Sequence, residues 1–346
     1  MKRLLIWIVL LLIIAVPVDA MEFTAPTAPQ EAQKWMPKDT EDFGEGLLTI
    51  IRSAITVIQP SLTEALGTSV SLVTACLLVG ILVEFTPGIK QVVELLGIIL
   101  VATLLFQPAN AFIQKGTETV QEISQYGRLL LPVMTATLAA QGAVNRSGAI
   151  YLATAFFDAL LSSAVSKFLV PLVYTFLCLS ICIHLFGQSL LRDVGKFIKR
   201  LLTWGLKIIL YVFTGYIGIT SVVGGTTDAA MLKATKLTIS GMVPVVGNIL
   251  SDASEAVLVG AGVVKSTIGI YGLLVIIALW IGPFLQIGVQ YLIFKITAGI
   301  CEMFGPKKLS DLVKDYSSVM GIVLAMTGTI CVIFLISIIC FMKGIG

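Results

Sequence analysis

The chain has 346 residues, 57% of them hydrophobic and only 12% charged, with a mean hydropathy of +0.99. Soluble domains carry about 25% charged residues, so the composition excludes a water-soluble globular protein and predicts an all-α, polytopic membrane helix bundle. The formal net charge of +3 decides little, because the placement of lysine and arginine matters more than their sum.

Lys2 and Arg3 form a basic head, Leu4 to Val16 is an apolar run of thirteen, and Val18-Asp19-Ala20 offers small residues for cleavage before Met21. That order predicts a cleavable signal peptide over 1–20. The other reading is an uncleaved anchor, for which thirteen apolar residues make a short span. Either way residues 21–46 belong outside the cytoplasm. They are polar, carry Pro26, Pro29 and Pro37, and read as a flexible lead-in. Leu47 to Ile58, bounded by Arg52 and Pro60, is a short amphipathic run expected at the outer interface, which makes 21–60 one exported segment.

The first membrane repeat is expected over 61–190. Leu66 to Phe85 is long enough to cross, Thr86-Pro87-Gly88 ends it, and Val92 to Ile113 is the second span. A polar, helix-like stretch follows, Gln114 to Arg128. Next comes a proline-interrupted segment, 129–145, then apolar runs at 149–166 and 168–190. The second repeat and final span occupy 191–346. A basic loop, Arg192 to Arg200, leads into a span at Leu201 to Val223 and a small polar stretch, Gly224 to Lys236. A second interrupted segment, 237–251, precedes runs at 256–282 and 284–304, another basic loop, Gly305 to Ser318, and a last span, Val319 to Met342.

Pro132 and Pro244 stand 112 positions apart, and at the same offset Val133 matches Val245, Gly148 matches Gly260, Leu161 matches Leu273 and Pro171 matches Pro283. Phe186-Gly187 and Phe304-Gly305 follow at an offset of 118, each leading into a basic, helix-like stretch. This is a weak internal repeat. Basic loops favour the cytoplasm. Those at 192–200 and 305–318, together with Lys90, can all lie inside if the chain enters from outside at residue 66, which makes the repeat parallel. If 129–145 crosses, the chain makes ten crossings; if it dips in and out, six, with re-entrant pieces.

Proline removes a backbone donor, and in hydrocarbon the loss is tolerated where protein or water satisfies the backbone. The interrupted segments, with Pro132, Gly142, Pro244, Gly247 and, at the end of the second, Asp252, are therefore expected inside the protein. Paired broken helices mark the central site of many transporters, whereas proline and glycine also merely kink and pack membrane helices. Asp158 lies mid-way along 149–166, where a charge faces a cavity or an ionic partner. Lys207, Lys295 and Glu302 read as snorkelling or helix-end residues.

Catalytic and cofactor constellations are missing. His184 is the single histidine, no G-x-S-x-G or phosphate-binding G-x-x-x-x-G-K-[ST] occurs, and the six cysteines form no C-x-x-C pair. The expectation is a non-enzyme without cofactor or metal, and without nucleic acid as partner. An energising ATPase would be a separate chain.

The run K-L-T-I-S-G-M-V-P-V-V-G-N-I-L-S-D-A, Lys236 to Ala253, with the later Lys265 and Gly269-Ile-Tyr-Gly272, resembles the stage III sporulation protein AE family of endospore-forming bacteria. The resemblance implies a multi-pass protein made in the mother cell and seated in the membrane around the forespore. With the other products of its operon and a forespore membrane partner, it would form a channel, or feeding-tube, complex needed for late forespore development. It supplies no catalytic residues. A permease-like subunit, a scaffold that assembles partners without conducting, and a general small-molecule transporter all remain open.

Overall fold

Ile98, Leu105, Ile113, Val120, Ile123, Leu130, Met134 and Leu138 are all buried, and their spacing follows one helical face through more than eleven turns. The computed structural model, which describes residues 25–37, 43–140, 144–223 and 267–343, accordingly carries one helix from Lys90 to Ala140. The described residues form helices α1 (Gln30–Gln33), α2 (Phe43–Phe85), α3 (Lys90–Ala140), α4 (Val144–Ala164), α5 (Val170–Phe186), α6 (Ser189–Val223), α7 (Thr267–Phe304) and α8 (Lys307–Lys343). A 3-10 turn, Pro87–Ile89, precedes α3, and a π-turn, Val165–Leu169, joins α4 to α5. Counting α4 and α5 as one rod, six of these helices are long and apolar enough to cross a membrane.

Several expectations change. The polar stretch 114–128 does not end a span; it continues α3, whose 51 residues extend about 77 Å against a hydrocarbon core of about 30 Å. Residues 129–140 therefore run on from that stretch rather than turning back. Pro60 likewise sits inside α2, so the run 47–58 is the start of a long helix rather than a separate surface segment. The runs 149–166 and 168–190 fuse. Pro171 clashes with the carbonyl four residues before it, and that residue, Lys167, lies in the π-turn, whose wider ring relieves the clash.

The six long helices form three hairpins whose turns lie at Thr86–Ile89, Gly187–Gln188 and Gly305–Pro306. Phe85, Phe186 and Phe304 close the first arm of each. Gly187 adopts φ 67°, a left-handed cap in which its N–H donates to Ile183 O at 2.9 Å. The turns share one end of the bundle: Lys308 pairs with Glu94 at 3.0 Å, and His184 reaches Asp315 at 3.3 Å. Lys90 and the two basic stretches thus gather at one end.

The first hairpin lies parallel on the third. Along α2 and α7, Gly46 meets Leu274, Ser69 bonds to Thr297 and Gly80 meets Phe304. Along α3 and α8, Gly97 meets Leu309, Gly116 meets Val323 and Gly127 meets Phe334. Lipid supplies no hydrophobic drive between helices, so close approach over small residues carries the packing. Helix α8 is the axis, almost wholly buried and touching α3, α4, α5, α6 and α7.

The lead-in is also ordered in part. Ala28 N–H donates to Tyr271 Oη at 3.1 Å, Ala28 and Ala32 are buried, and Trp35 stacks over Gly282. Residues 25–37 are thus docked on α7 rather than free.

Candidate functional site

Helices α3 and α4 run antiparallel, which brings Arg128 to Asp158. Arg128 Nε donates to Asp158 Oδ2 at 3.2 Å. Ser124, one turn before Arg128, borders the same carboxylate. Ser124 Oγ is buried beside this carboxylate and is placed to donate to it. The carboxylate is thus held by a guanidinium and a hydroxyl from successive turns of α3. Further along the same interface, Tyr174 Oη donates to Asn110 Oδ1 at 2.6 Å.

A second polar cluster lies toward the turn end, among α5, α6 and α8. Ser180 Oγ donates to Asp315 Oδ2 at 2.6 Å, and His184 Nε2 lies 3.3 Å from the same oxygen. Lys199 Nζ donates to Ser318 Oγ at 2.8 Å. Serine, histidine and aspartate are all present, yet serine and histidine both turn to Asp315 rather than to each other. The histidine therefore has no hydroxyl to deprotonate, and the cluster is not a hydrolytic triad. Among the described residues no group of three His, Cys, Asp or Glu side chains is placed to hold a metal ion.

The α2–α7 seam carries the third set. The hydroxyls of Ser69 and Thr297 are bonded, and the buried thiols of Cys76 and Cys301 lie against each other. At the turn end Lys314 pairs with Glu302 at 2.6 Å.

Of the residues singled out in the sequence, Asp158 is buried and paired as one of its two readings required. Pro132 sits within α3 on an exposed face, without a break in the helix, whereas the sequence argument expected it inside; its neighbours Leu131 and Met134 take the buried face instead. Gly142, Pro244, Gly247 and Asp252 lie outside the described residues, so the pairing of the two proline segments is not described. Lys295 is exposed beside the Tyr291 ring, 5.6 Å from its centre. Glu302 lies in the last turn of α7, as the sequence suggested, and there pairs with Lys314. Sequence reasoning missed Arg128, Asp315 and Ser180. Arg128 had a signal, a lone cation at the head of an apolar run; Ser180 and Asp315 had none short of the fold.

Fold and polar sites together define a polytopic, all-helical membrane protein that carries ionic and hydroxyl groups between its helices. No solved structure matches this chain. The family model for stage III sporulation protein AE matches residues 39–344, and the chain belongs to that family. It is 22% identical over 245 residues to the stage III sporulation protein AE of Bacillus subtilis (strain 168), a match that covers 70% of this chain and 61% of the relative's length. The family is named for a role in sporulation.

Proposed function

We propose that this protein is the membrane subunit of a channel complex between mother cell and forespore, acting without catalysis as its permease-like part. It would sit in the mother-cell membrane around the forespore, with residues 21–46 facing partner subunits, and would draw any energy from a separate ATPase. The observation that best supports this reading is the Arg128–Asp158 pair: a buried carboxylate held between two membrane-length helices of a sporulation protein.

A scaffold role is the second reading, and α8 favours it. That helix fills the axis of the bundle formed by the described residues, which enclose no central lumen, and a conducting route would run along its side or between copies.

The test is a clean deletion in the source bacterium, complemented from a mother-cell promoter, scoring engulfment and a late forespore-specific reporter. The reading expects engulfment to finish, the forespore to stall and mother-cell expression to restore it. Normal heat-resistant spores in the deletion strain would overturn it.

A further inference from the structure

Two of the three hairpins interlock through glycine. Gly80 and Gly305 bring α2 and α7 together backbone to backbone, and Gly116 and Gly127 seat side chains of α8 against α3. The second hairpin, α4 to α6, is joined differently. A Cβ at Gly148, Gly205 or Gly215 would meet nothing within 4 Å, and Gly195 touches only Ile183 and Leu179 of its own hairpin. Its turn-side half is tied to the other helices by side-chain bonds that are only partly buried: Tyr174 to Asn110, Ser180 and His184 to Asp315, and Lys199 to Ser318. Water replaces such bonds at small net cost, whereas interlocked helices have no second arrangement at hand.

Both arms of that hairpin are weak at the same level. The π-turn ends at Leu169, eighteen residues before Gly187, and Gly205 stands eighteen residues after it, inside α6. Helices bend at π-turns and at the prolines beside them, and an interior glycine eases bending further. Helices α2, α3 and α7 carry internal prolines too, but each remains one continuous α-helix. Beyond the two weak points the hairpin is anchored: Thr154 bonds to Ser337, both buried, and Asp158 to Arg128. On the turn side Gly195 locks α6 to α5, which makes residues 170–204 one piece. Between Asp315 and Ser318, α8 also carries Tyr316, whose hydroxyl is buried without a hydrogen-bond partner and lies close enough to Cys178 of α5 to act on it electrostatically. Water admitted between α5 and α8 would satisfy that hydroxyl.

We propose that residues 170–204 swing as a unit about the π-turn and Gly205, with Asp315 and Ser318 of α8 as the catch. The swing opens the seam between α5 and α8 from the turn end and bares Ser180, His184, Asp315, Tyr316 and Lys199 to water. A hinge of this kind needs only a few element-terminal or small residues to absorb the change in backbone angle. The proposal rests on the conducting reading above for its use: it supplies the side entrance that a filled axis requires.

The test places cysteine at position 177 (Leu177→Cys), buried on the same stripe of α5 as Ser180 and His184. Full-length protein with Cys178→Ser and Cys182→Ser is reconstituted in vesicles. A thiol reacts as its thiolate and so needs water. Modification by N-ethylmaleimide is read by mass spectrometry, with native Cys301, buried in the α2–α7 seam, as internal reference. We expect Leu177→Cys to be modified while Cys301 stays protected, Ser180→Ala with Lys199→Gln to speed the reaction about tenfold, and Gly205→Ala to slow it. The Gly205→Ala methyl has room and favours helix, so this variant stiffens the hinge and keeps the fold. Protection of Leu177→Cys equal to that of Cys301 in every variant would overturn the swing. Equal modification of both, a general loosening, would overturn it too, as would indifference to Gly205→Ala. Expected labelling with wild-type sporulation of both variant strains would count against conduction and leave the swing standing; protection throughout, with the deletion strain stalled after engulfment, would do the reverse.

Discussion

Arg128 and Asp158 share one hydrogen bond but not one environment: the Asp158 side chain is 1% exposed and the Arg128 side chain 59%. The anion is thus fixed inside the bundle and the cation reaches it from the surface. Removing the two partners should have unequal effects. Arg128→Gln leaves a buried charge without its counter-ion, whereas Asp158→Asn removes the need for one. Arg128→Gln is predicted to destabilise by about 1–3 kcal/mol, with Asp158→Asn milder and the double variant close to Asp158→Asn alone. Thermal unfolding of the four proteins in one detergent measures this. A larger loss from Asp158→Asn would show that the carboxylate is held by groups other than Arg128.

The approach of α3 to α8 offers a sharper packing test. The Phe334 ring lies against Gly127 where a Cβ would stand, and Val323 does the same at Gly116. A side chain at either position forces the helices apart. Gly127→Ala and Gly116→Ala are each predicted to cost about 1–3 kcal/mol. Gly148→Ala, where a Cβ would meet nothing within 4 Å, should be far milder. Unfolding midpoints of the three variants separate these cases, and equal shifts would contradict the register of α3 on α8.

Parallel packing of α2 on α7 brings Cys76 to Cys301, although 225 positions separate them in the chain. Mild oxidation with copper phenanthroline should therefore form an intrachain disulfide that joins α2 to α7. Cleavage of the backbone between the helices, followed by non-reducing electrophoresis, would keep the fragments together. Cys76→Ala should release them. Crosslinking of Cys76 to Cys178 instead would reverse the order of the hairpins.

Much of the fold was legible because lipid imposes simple rules. Low charge gave the membrane class, and Lys90 with the basic stretches following Phe186 and Phe304 marked the hairpin ends that the structure gathers together. Helix continuity was harder to read. Glu118 and Glu122 made 114–128 look like a separate polar helical stretch outside the membrane, yet Ile113, Val120 and Ile123 kept the buried period intact beneath them. The runs 149–166 and 168–190 looked separate because sequence does not show the π-turn that joins them. Asp158 stood out as a charge in an apolar run; its partner is thirty residues earlier, and only the antiparallel register of α3 and α4 selects it. The lead-in was misread because its polar composition hid the few side chains, Ala28, Ala32 and Trp35, that dock on α7.

The central claim, that the buried carboxylate serves passage rather than assembly, is tested most directly by Asp158→Asn expressed in the mother cell of a deletion strain. Asparagine keeps the shape and removes the charge. Heat-resistant spores and the amount of protein recovered from the membrane with its partners are measured together. The account predicts a severe loss of heat-resistant spores, with recovery of the assembled protein unchanged. Wild-type spore numbers at wild-type assembly would contradict it and leave the scaffold reading in its place.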